Sequence, residues 1–445
     1  MELQWVKGTD AFLPQVQLMR RGVIRTIEET FARFGFNPVE TPALNQLELL
    51  ASKYAGGAEI LKEMLQLTDL GGRELGLRYD LTVPFAILIG LSQGSDFPMP
   101  FKRYEIGKVF RDGPVKRGRR VEFTQCDADV TGIRSVQADA ELIAMADQVF
   151  AELGLAAHTE LNHRKLLSAL IREAGVAEER IGPTILAVDK LQKIGREGVA
   201  AELAEKGVAA ECAARLFDLL DIEGSTEEAL EKISALANSE AAAEAVAELR
   251  QLLDALEAMS VKMPVKLTLG LARGLEIYTG PVFEFFLDDQ SVVSSSIGGG
   301  GRYDRIIGQF LYPDKPARHE DFPATGISFG LEPITIALLE QQKAAETTTP
   351  QSDVQVVVCP LETLNESLAI ADRLRRAGIR TEVAYYHRKL KKALNYANRL
   401  NIPFAMIIGG DEVARGVVNL RDMRCSEQLE LTLEQAIARI RESDC

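Results

Sequence analysis

The sequence predicts an α+β fold in three parts: an antiparallel-sheet domain, a helical insertion within it, and a C-terminal α/β domain. Three observations predict this. Phe101–Arg111 and Arg119–Thr131 alternate in character and flank the loop DGPVKRG, so they read as a long antiparallel hairpin. Residues 160–258 are dominated by Ala, Glu and Leu with few aromatics, the composition of packed helices. From residue 353 onward, strand-like and helix-like segments follow one another as β-α-β-α-β, the order of a mostly parallel sheet.

Each element has a local cause. Gln15–Phe36 carries helical periodicity and ends at Gly35, and two prolines forbid helix in the PVETPAL run that follows (38–44). With the hairpin, residues 1–159 form the first part of the main domain. Helical text fills 160–260, and glycine-rich, strand-like text over 261–340 forms the second part. QQKAAETTTPQS (341–352) reads as a linker. In the tail, 353–445, the strands are VQVVVCPL, TEVAYY and FAMIIGG, and the helices run through ESLAIADRLRRAG and KKALNYANRLN.

Composition narrows the function classes. With 46% hydrophobic and 26% charged residues, the 445-residue chain is globular rather than disordered. A net charge of −14 excludes a uniformly basic nucleic-acid surface but leaves room for a local patch. The tail holds 14 Lys+Arg against 13 Asp+Glu, net +1, which leaves −15 for the rest. An apolar run of about 18 residues, enough to span a membrane, is absent. The N-terminus MELQWVKGTDAFLP lacks an apolar signal core. Five scattered cysteines (126, 212, 359, 425, 445) make no disulfide framework and fit a reducing compartment, so the cytoplasm is expected.

Several segments bear chemistry. Alternation puts Arg119, Phe123, Gln125, Asp127 and Asp129 on one face of the second hairpin strand, with Arg111 ending the first. Two readings stand: a solvated face with cross-strand ion pairs, or a floor for a small polar ligand with a ring to stack on. LRYDLTVPFA (77–86) puts Asp80 and Thr82 on one side of a short strand, where they suit an amino group or a local hydrogen bond. GLARGLEIYTGPVFEFF (270–286) sets Arg273 and Tyr278 among glycines. An arginine there suits phosphate or carboxylate, or is a surface residue near turns. SSSIGGGGRYDRIIG (294–308) lacks the ending of a P-loop; its glycines suit close backbone approach to a ligand, with Tyr303 following. The histidines at 158, 163, 319 and 387 have no ligand spacing, so no protein-held metal is expected. In the tail, Arg388, Lys389, Lys391 and Lys392 crowd beside Tyr385, Tyr386 and His387, a solvated helix face or an RNA surface.

Together these pieces form an ordered pattern. RYEIGKVFRDGP…GRRVEFTQCDADV resembles motif 2 of class II aminoacyl-tRNA synthetases. LRYDLTVPFA, LARGLEIYTGPVFE and GGGGRYD are similar to segments of the histidyl-tRNA synthetases. KGTDAFLP and PVETPAL resemble that family's N-terminus and motif 1 dimer region, and the tail resembles its anticodon-binding domain. The resemblance implies a homodimer whose catalytic sheet is interrupted by the insertion. It implies that histidine and ATP form histidyl-adenylate and that histidine then passes to tRNA, with Mg²⁺ bound through the ATP phosphates. Residue by residue, Arg111 is expected to hold the α-phosphate and the histidine carboxylate, Arg119 the outer phosphates, and Phe123 the adenine. Asp80, Thr82 and Gln125 are expected on the α-amino group, and Asp129 and Tyr278 on the imidazole with Tyr303 nearby. Arg273 matches the family's catalytic arginine.

The chain departs from the pattern in three places. GISFGLEPITIAL carries Pro333 where motif 3 has an arginine; loss of such a charge-assisted contact, about 1.5–3 kcal/mol, weakens ATP use by roughly ten- to two-hundredfold unless another base replaces it. GRRVEF carries Arg120 and Val121 where the family has an aromatic and an arginine. LEIYTG keeps a carboxylate as Glu276 but replaces one tyrosine with Ile277. These departures leave a second reading: a histidine-binding regulatory protein, of the type of the ATP phosphoribosyltransferase regulatory subunit, that charges no tRNA. Such subunits generally lack the tail domain.

Overall fold

A computed structural model of the chain describes residues 3–51, 62–92, 97–115, 118–222, 224–236, 239–272, 277–345, 351–385 and 389–442. The chain divides into two compact units, 1–10 with 23–341 and 11–22 with 342–445.

In chain order the first unit's strands are β1 (Asn37–Pro38), β2 (Leu44–Gln46), β3 (Gln66–Thr68), β4 (Glu74–Leu77), β5 (Phe101–Phe110), β6 (Glu122–Thr131), β7 (Ala157–His163), β8 (Val265–Leu267), β9 (Pro281–Leu287), β10 (Gly298–Arg302) and β11 (Ala324–Gly330). Eight of them form one sheet in the order β1-β5-β6-β11-β10-β9-β7-β8. The inner pairings are antiparallel, and the outermost, β1 with β5 and β7 with β8, are parallel. A small antiparallel sheet, β2-β4-β3, stands apart.

Period-2 alternation gives the large sheet two unlike faces. The back face presents Cys126, Ala128 and Val130 of β6, Ile327 and Phe329 of β11, and Phe283 and Phe285 of β9. Phe150 meets Phe285 and Phe329 edge-on, each at 5.6 Å between ring centroids. Helices cover this face with Ile27 and Phe31, Leu142 and Met145, Leu249 and Leu252, and Ile334 and Ala337. Burying each such side chain stabilises by about 1.5–3 kcal/mol.

The expected first helix is observed over Pro14–Arg33. Gly35 stops it: its φ of +80° is a left-handed cap, and the Phe36 amide reaches back to the Phe31 carbonyl at 3.0 Å. The hairpin is β5 and β6, paired so that Arg103 faces Asp129, Glu105 faces Asp127 and Gly107 faces Gln125.

Three expectations change. The segment 77–86 is not a strand: β4 ends at Leu77 and a helix, Thr82–Leu91, begins almost at once. Asp80 initiates it by accepting from the Val83 amide at 3.0 Å, the role of a capping carboxylate. Arg119 lies before β6 begins, so it does not share the strand face of Phe123. The helical text is not uniform. Helices within 164–220 close around their own core of Leu167, Ile171, Val199, Leu203 and Leu216. Thr226–Leu236 and Glu240–Ala258 instead join the main core through Leu230, Ile233, Leu249 and Leu252.

In the second unit five strands follow: β12 (Val356–Pro360), β13 (Thr381–Val383), β14 (Phe404–Ile408), β15 (Val418–Asp422) and β16 (Gln428–Leu431). Their order is β13-β12-β14-β15-β16. The first three are parallel, as the sequence order predicts; β15 and β16 add an antiparallel edge that it does not. One face packs Val356, Leu374, Met406 and Ile440, and the other Val357, Ala393, Ala397 and Ile407. No helix among the described residues is long and apolar enough to cross a membrane.

Candidate active site

The front face of the large sheet carries polar groups where a core would carry leucines. Register alone builds it. β5 contributes Arg103, Glu105 and Gly107; β6 contributes Phe123, Gln125, Asp127 and Asp129. Opposite these, β11 presents Gly326, Ser328 and Gly330, and β10 presents Gly299 and Gly301. Two neighbouring strands thus offer almost no side chain, a bare backbone floor beside a wall of carboxylates and an amide. The glycine run is a strand, paired on both sides, and its backbone lies too close to its neighbours for side chains. A methyl at Gly300 would sit 2.0 Å from the Gly326 carbonyl oxygen. Tyr278, nearly buried, lies against this floor, its Cδ1 2.9 Å from where a Gly301 methyl would be.

Buried charge is arranged in pairs. Arg103 is fully buried, with Asp129 at 2.7 Å and the Phe85 ring at 4.4 Å. It also donates to the Leu81 carbonyl at 2.9 Å. The Tyr303 hydroxyl donates to the other oxygen of Asp129. Arg78 holds Glu105 at 2.6 Å, and Thr41 of the PVETPAL stretch donates to Glu105 through its amide and hydroxyl. Removing one partner from a buried pair of this kind costs about 3–5 kcal/mol.

Burial dominates the titration of the wall. It pushes the Asp80 carboxyl up to about 6, against the opposing pull of the Val83 amide and Arg111. It pushes Asp127 up to about 8, helped by the charge of Asp129 and opposed by Arg103. Asp129 and the Tyr303 hydroxyl also move upward because they are buried, and the Arg111 guanidinium moves down for the same reason.

The sequence-predicted residues distribute as follows. Gln125, Asp129, Tyr278 and Tyr303 converge on the floor and its wall. Gln125 donates to Ser328 Oγ at 2.9 Å. Arg111 is half-buried at the end of the wall, donating to the Tyr79 carbonyl at 2.9 Å with its guanidinium carbon 5.2 Å from the Phe123 ring centre. Asp80 is buried, and Thr82 is half-buried at the first position of its helix. Arg119 sits outside the wall, exposed and paired with Glu63 at 2.6 Å. Arg120 pairs with Asp10 at 2.9 Å. Arg273 and Glu276 lie outside the described residues, as do Tyr386, His387 and Arg388 of the tail cluster. Lys389, Lys391 and Lys392 are exposed where the helix Leu390–Arg399 begins. Pro333 is buried in the first turn of Leu331–Ala344, where a missing amide costs no helical hydrogen bond. Its ring lies over Gly330, with Cγ 2.8 Å from where a methyl would be.

Sequence reasoning missed Arg78, Arg103, Glu105 and Ser328, and gave Asp127 no role. The pairing of Arg103 with Asp129 and of Glu105 with Asp127 was available from hairpin register. Arg78 and Ser328 come from other elements and had no local signal.

A mainly antiparallel sheet with this polar face, joined to a separate α/β unit, is the layout of a class II aminoacyl-tRNA synthetase. A family model described as histidyl-tRNA synthetase matches residues 8–334, and one described as an anticodon-binding domain matches 355–443. The chain belongs to the histidyl-tRNA synthetase family. It is 42% identical to histidine–tRNA ligase 1 of Bacillus cereus, across 97% of this chain and 98% of that one. It is 43% identical to histidine–tRNA ligase 2 of Shouchella clausii, across 95% and 96%. The crystal structure of histidyl-tRNA synthetase from Nostoc sp. PCC 7120 superposes over the full length of both chains, with a TM-score of 0.84 at 29% identity.

Proposed function

We infer that this chain is a histidine–tRNA ligase: it joins histidine to ATP as histidyl-adenylate and transfers histidine to tRNA. The observation that carries the reading is the front face of the sheet, a backbone floor walled by Gln125, the Asp129–Tyr303 pair and Arg111. An aminoacyl adenylate needs these elements: acceptors for an ammonium and a ring N–H, and a cation for the phosphate.

In the proposed reaction the histidine carboxylate attacks the α-phosphorus of ATP in line, and pyrophosphate leaves with the electron pair of the broken P–O bond. Positioning and electrostatic stabilisation supply the rate. Arg111 takes the carboxylate and α-phosphate, and Arg273 stabilises charge on the α-phosphate. Phe123 stacks on adenine. Arg119 turns from Glu63 to the outer phosphates, which carry Mg²⁺ in as part of the substrate. Asp80, Thr82 and Gln125 take the α-amino group. Asp129 and Tyr278 read the imidazole, with Tyr303 holding Asp129. The acceptor end of tRNA meets the GRRVEF stretch, and the anticodon meets the tail unit. The tail favours this reading over a regulatory one, since residues 355–443 match an anticodon-binding domain. The enzyme works as a cytoplasmic homodimer.

Charging tests this directly. Purified chain with ATP, Mg²⁺, radiolabelled histidine and tRNA should yield acid-precipitable histidyl-tRNA. Arg273→Ala should abolish it, and retention of more than about a tenth of the rate contradicts the assigned role, since one such electrostatic contact is worth about 10²–10³ in rate.

A further inference from the structure

Among the described residues, the buried carboxylates at the front face divide into those with a cation and one without. Glu105 has Arg78 at 2.6 Å and Asp129 has Arg103 at 2.7 Å. Asp80 caps a helix and faces Arg111. Asp127 is as deeply buried as Asp129 yet has no salt bridge among the described residues. Its contacts are the Ser328 hydroxyl, directly across the strand pair, and a more distant Arg103. Among the described residues its Oδ1 has no hydrogen-bond partner.

A second orphan stands two residues away on the same face. Gln125 spends its amide N–H on Ser328 Oγ, and its Oε1 has no partner among the described residues. Ser328 is thus an acceptor toward Gln125 and a donor toward Asp127, which fixes both side chains and leaves one bare acceptor on each. Buried acceptors are almost always satisfied, and a bare pair beside an empty backbone floor calls for a donor that arrives with the ligand. An imidazole N–H satisfies one acceptor. An ammonium satisfies both and supplies the missing positive charge.

We propose that Asp127 is the counter-charge for the α-ammonium group of the amino-acid substrate, acting with Gln125 Oε1, so that this face selects an amino acid over the same molecule lacking its amino group. The proposal rests on the ligase reading and adds to it a binding residue that the family resemblance does not supply. The groups facing Asp127 are Asp129 on its own strand, Glu105 and Arg103 on β5, Asp80, Arg111 and Tyr303. Burial raises Asp127 to about 8. At neutral pH the free protein therefore holds a proton there, and ammonium binding expels it.

The test is calorimetric titration of the full chain, wild type and Asp127→Asn, with L-histidine and with imidazolepropionic acid, which keeps the ring and carboxylate but lacks the amino group. Asp127→Asn should weaken histidine by about tenfold or more, the scale of one charge-assisted hydrogen bond, and change imidazolepropionic acid by less than about twofold. Equal losses for both ligands, or none for either, overturn the proposal and leave the ligase reading standing. Failure of the wild type to bind histidine takes down both. A second measurement reads the proton itself: at pH 7, histidine binding in buffers of different ionisation enthalpy should release more protons from the wild type than from Asp127→Asn. Equal release contradicts the assignment.

Discussion

A methyl group at residue 326 would lie 2.0 Å from Oδ1 of Asp129. That oxygen accepts from Tyr303, so Gly326 holds open the space in which the pair forms. Gly326→Ala should displace Asp129 and raise the histidine KM by about tenfold or more, the cost of a misplaced charged contact; an unchanged KM in pyrophosphate exchange contradicts this. Asp127 makes a second prediction at this scale. Its folded-state carboxyl titrates near 8 against an ordinary 3.8. Between those values the folded chain keeps a proton that the unfolded chain has released, so stability falls as pH rises through the window. Asp127→Asn has no proton to lose. Its melting temperature relative to wild type should therefore climb from about pH 5 to pH 8, and a difference that ignores pH refutes the buried-carboxyl account.

At the scale of elements, the helix Leu390–Arg399 begins beside three exposed lysines, 389, 391 and 392. Replacing all three with Glu should raise the tRNA KM by about tenfold or more, because phosphate contacts are charge-driven. Pyrophosphate exchange without tRNA should stay unchanged. Equal losses in both assays would assign these lysines to folding. The elements also show why some were legible and others not. The hairpin was readable because alternation over ten residues has one solution, and its register follows from its loop. The strand β10 had no signal of its own because GGGG carries no hydropathy pattern; only its neighbours, β9 and β11, make it a strand. The 77–86 segment was misread because Asp80 caps a helix that starts two residues later, and TVPFAILIGL is apolar on every side, with no period to report. Thr226–Leu236 and Glu240–Ala258 shared their composition with the preceding helices, and composition does not say which core a helix joins.

For the whole molecule, the division of charge matches a division of labour. The body carries −15 and holds the shielded polar face proposed to bind histidine and ATP, while the near-neutral tail carries the exposed lysines. The body's polar site is an exception to every packing preference of its sheet. Three buried carboxylates, Glu105, Asp127 and Asp129, and the buried Arg103 share one face where period-2 alternation elsewhere places Phe, Ile and Val. The sequence named Gln125, Asp129, Tyr278 and Tyr303, which the fold brings onto one face, while the Arg78–Glu105 pair and the Gln125–Ser328 bond needed the fold because Arg78 and Ser328 lie on separate elements. Pro333 is the main departure. It occupies a first helical turn without cost to the backbone, so the fold accommodates it, and the expected consequence is an elevated ATP KM. Histidine-dependent ATP–pyrophosphate exchange, on purified full-length chain without tRNA, tests the central claim most directly. The account predicts exchange that requires histidine and persists despite Pro333, with an elevated ATP KM. Histidine binding without exchange would contradict it and make the chain a histidine sensor built on a synthetase fold.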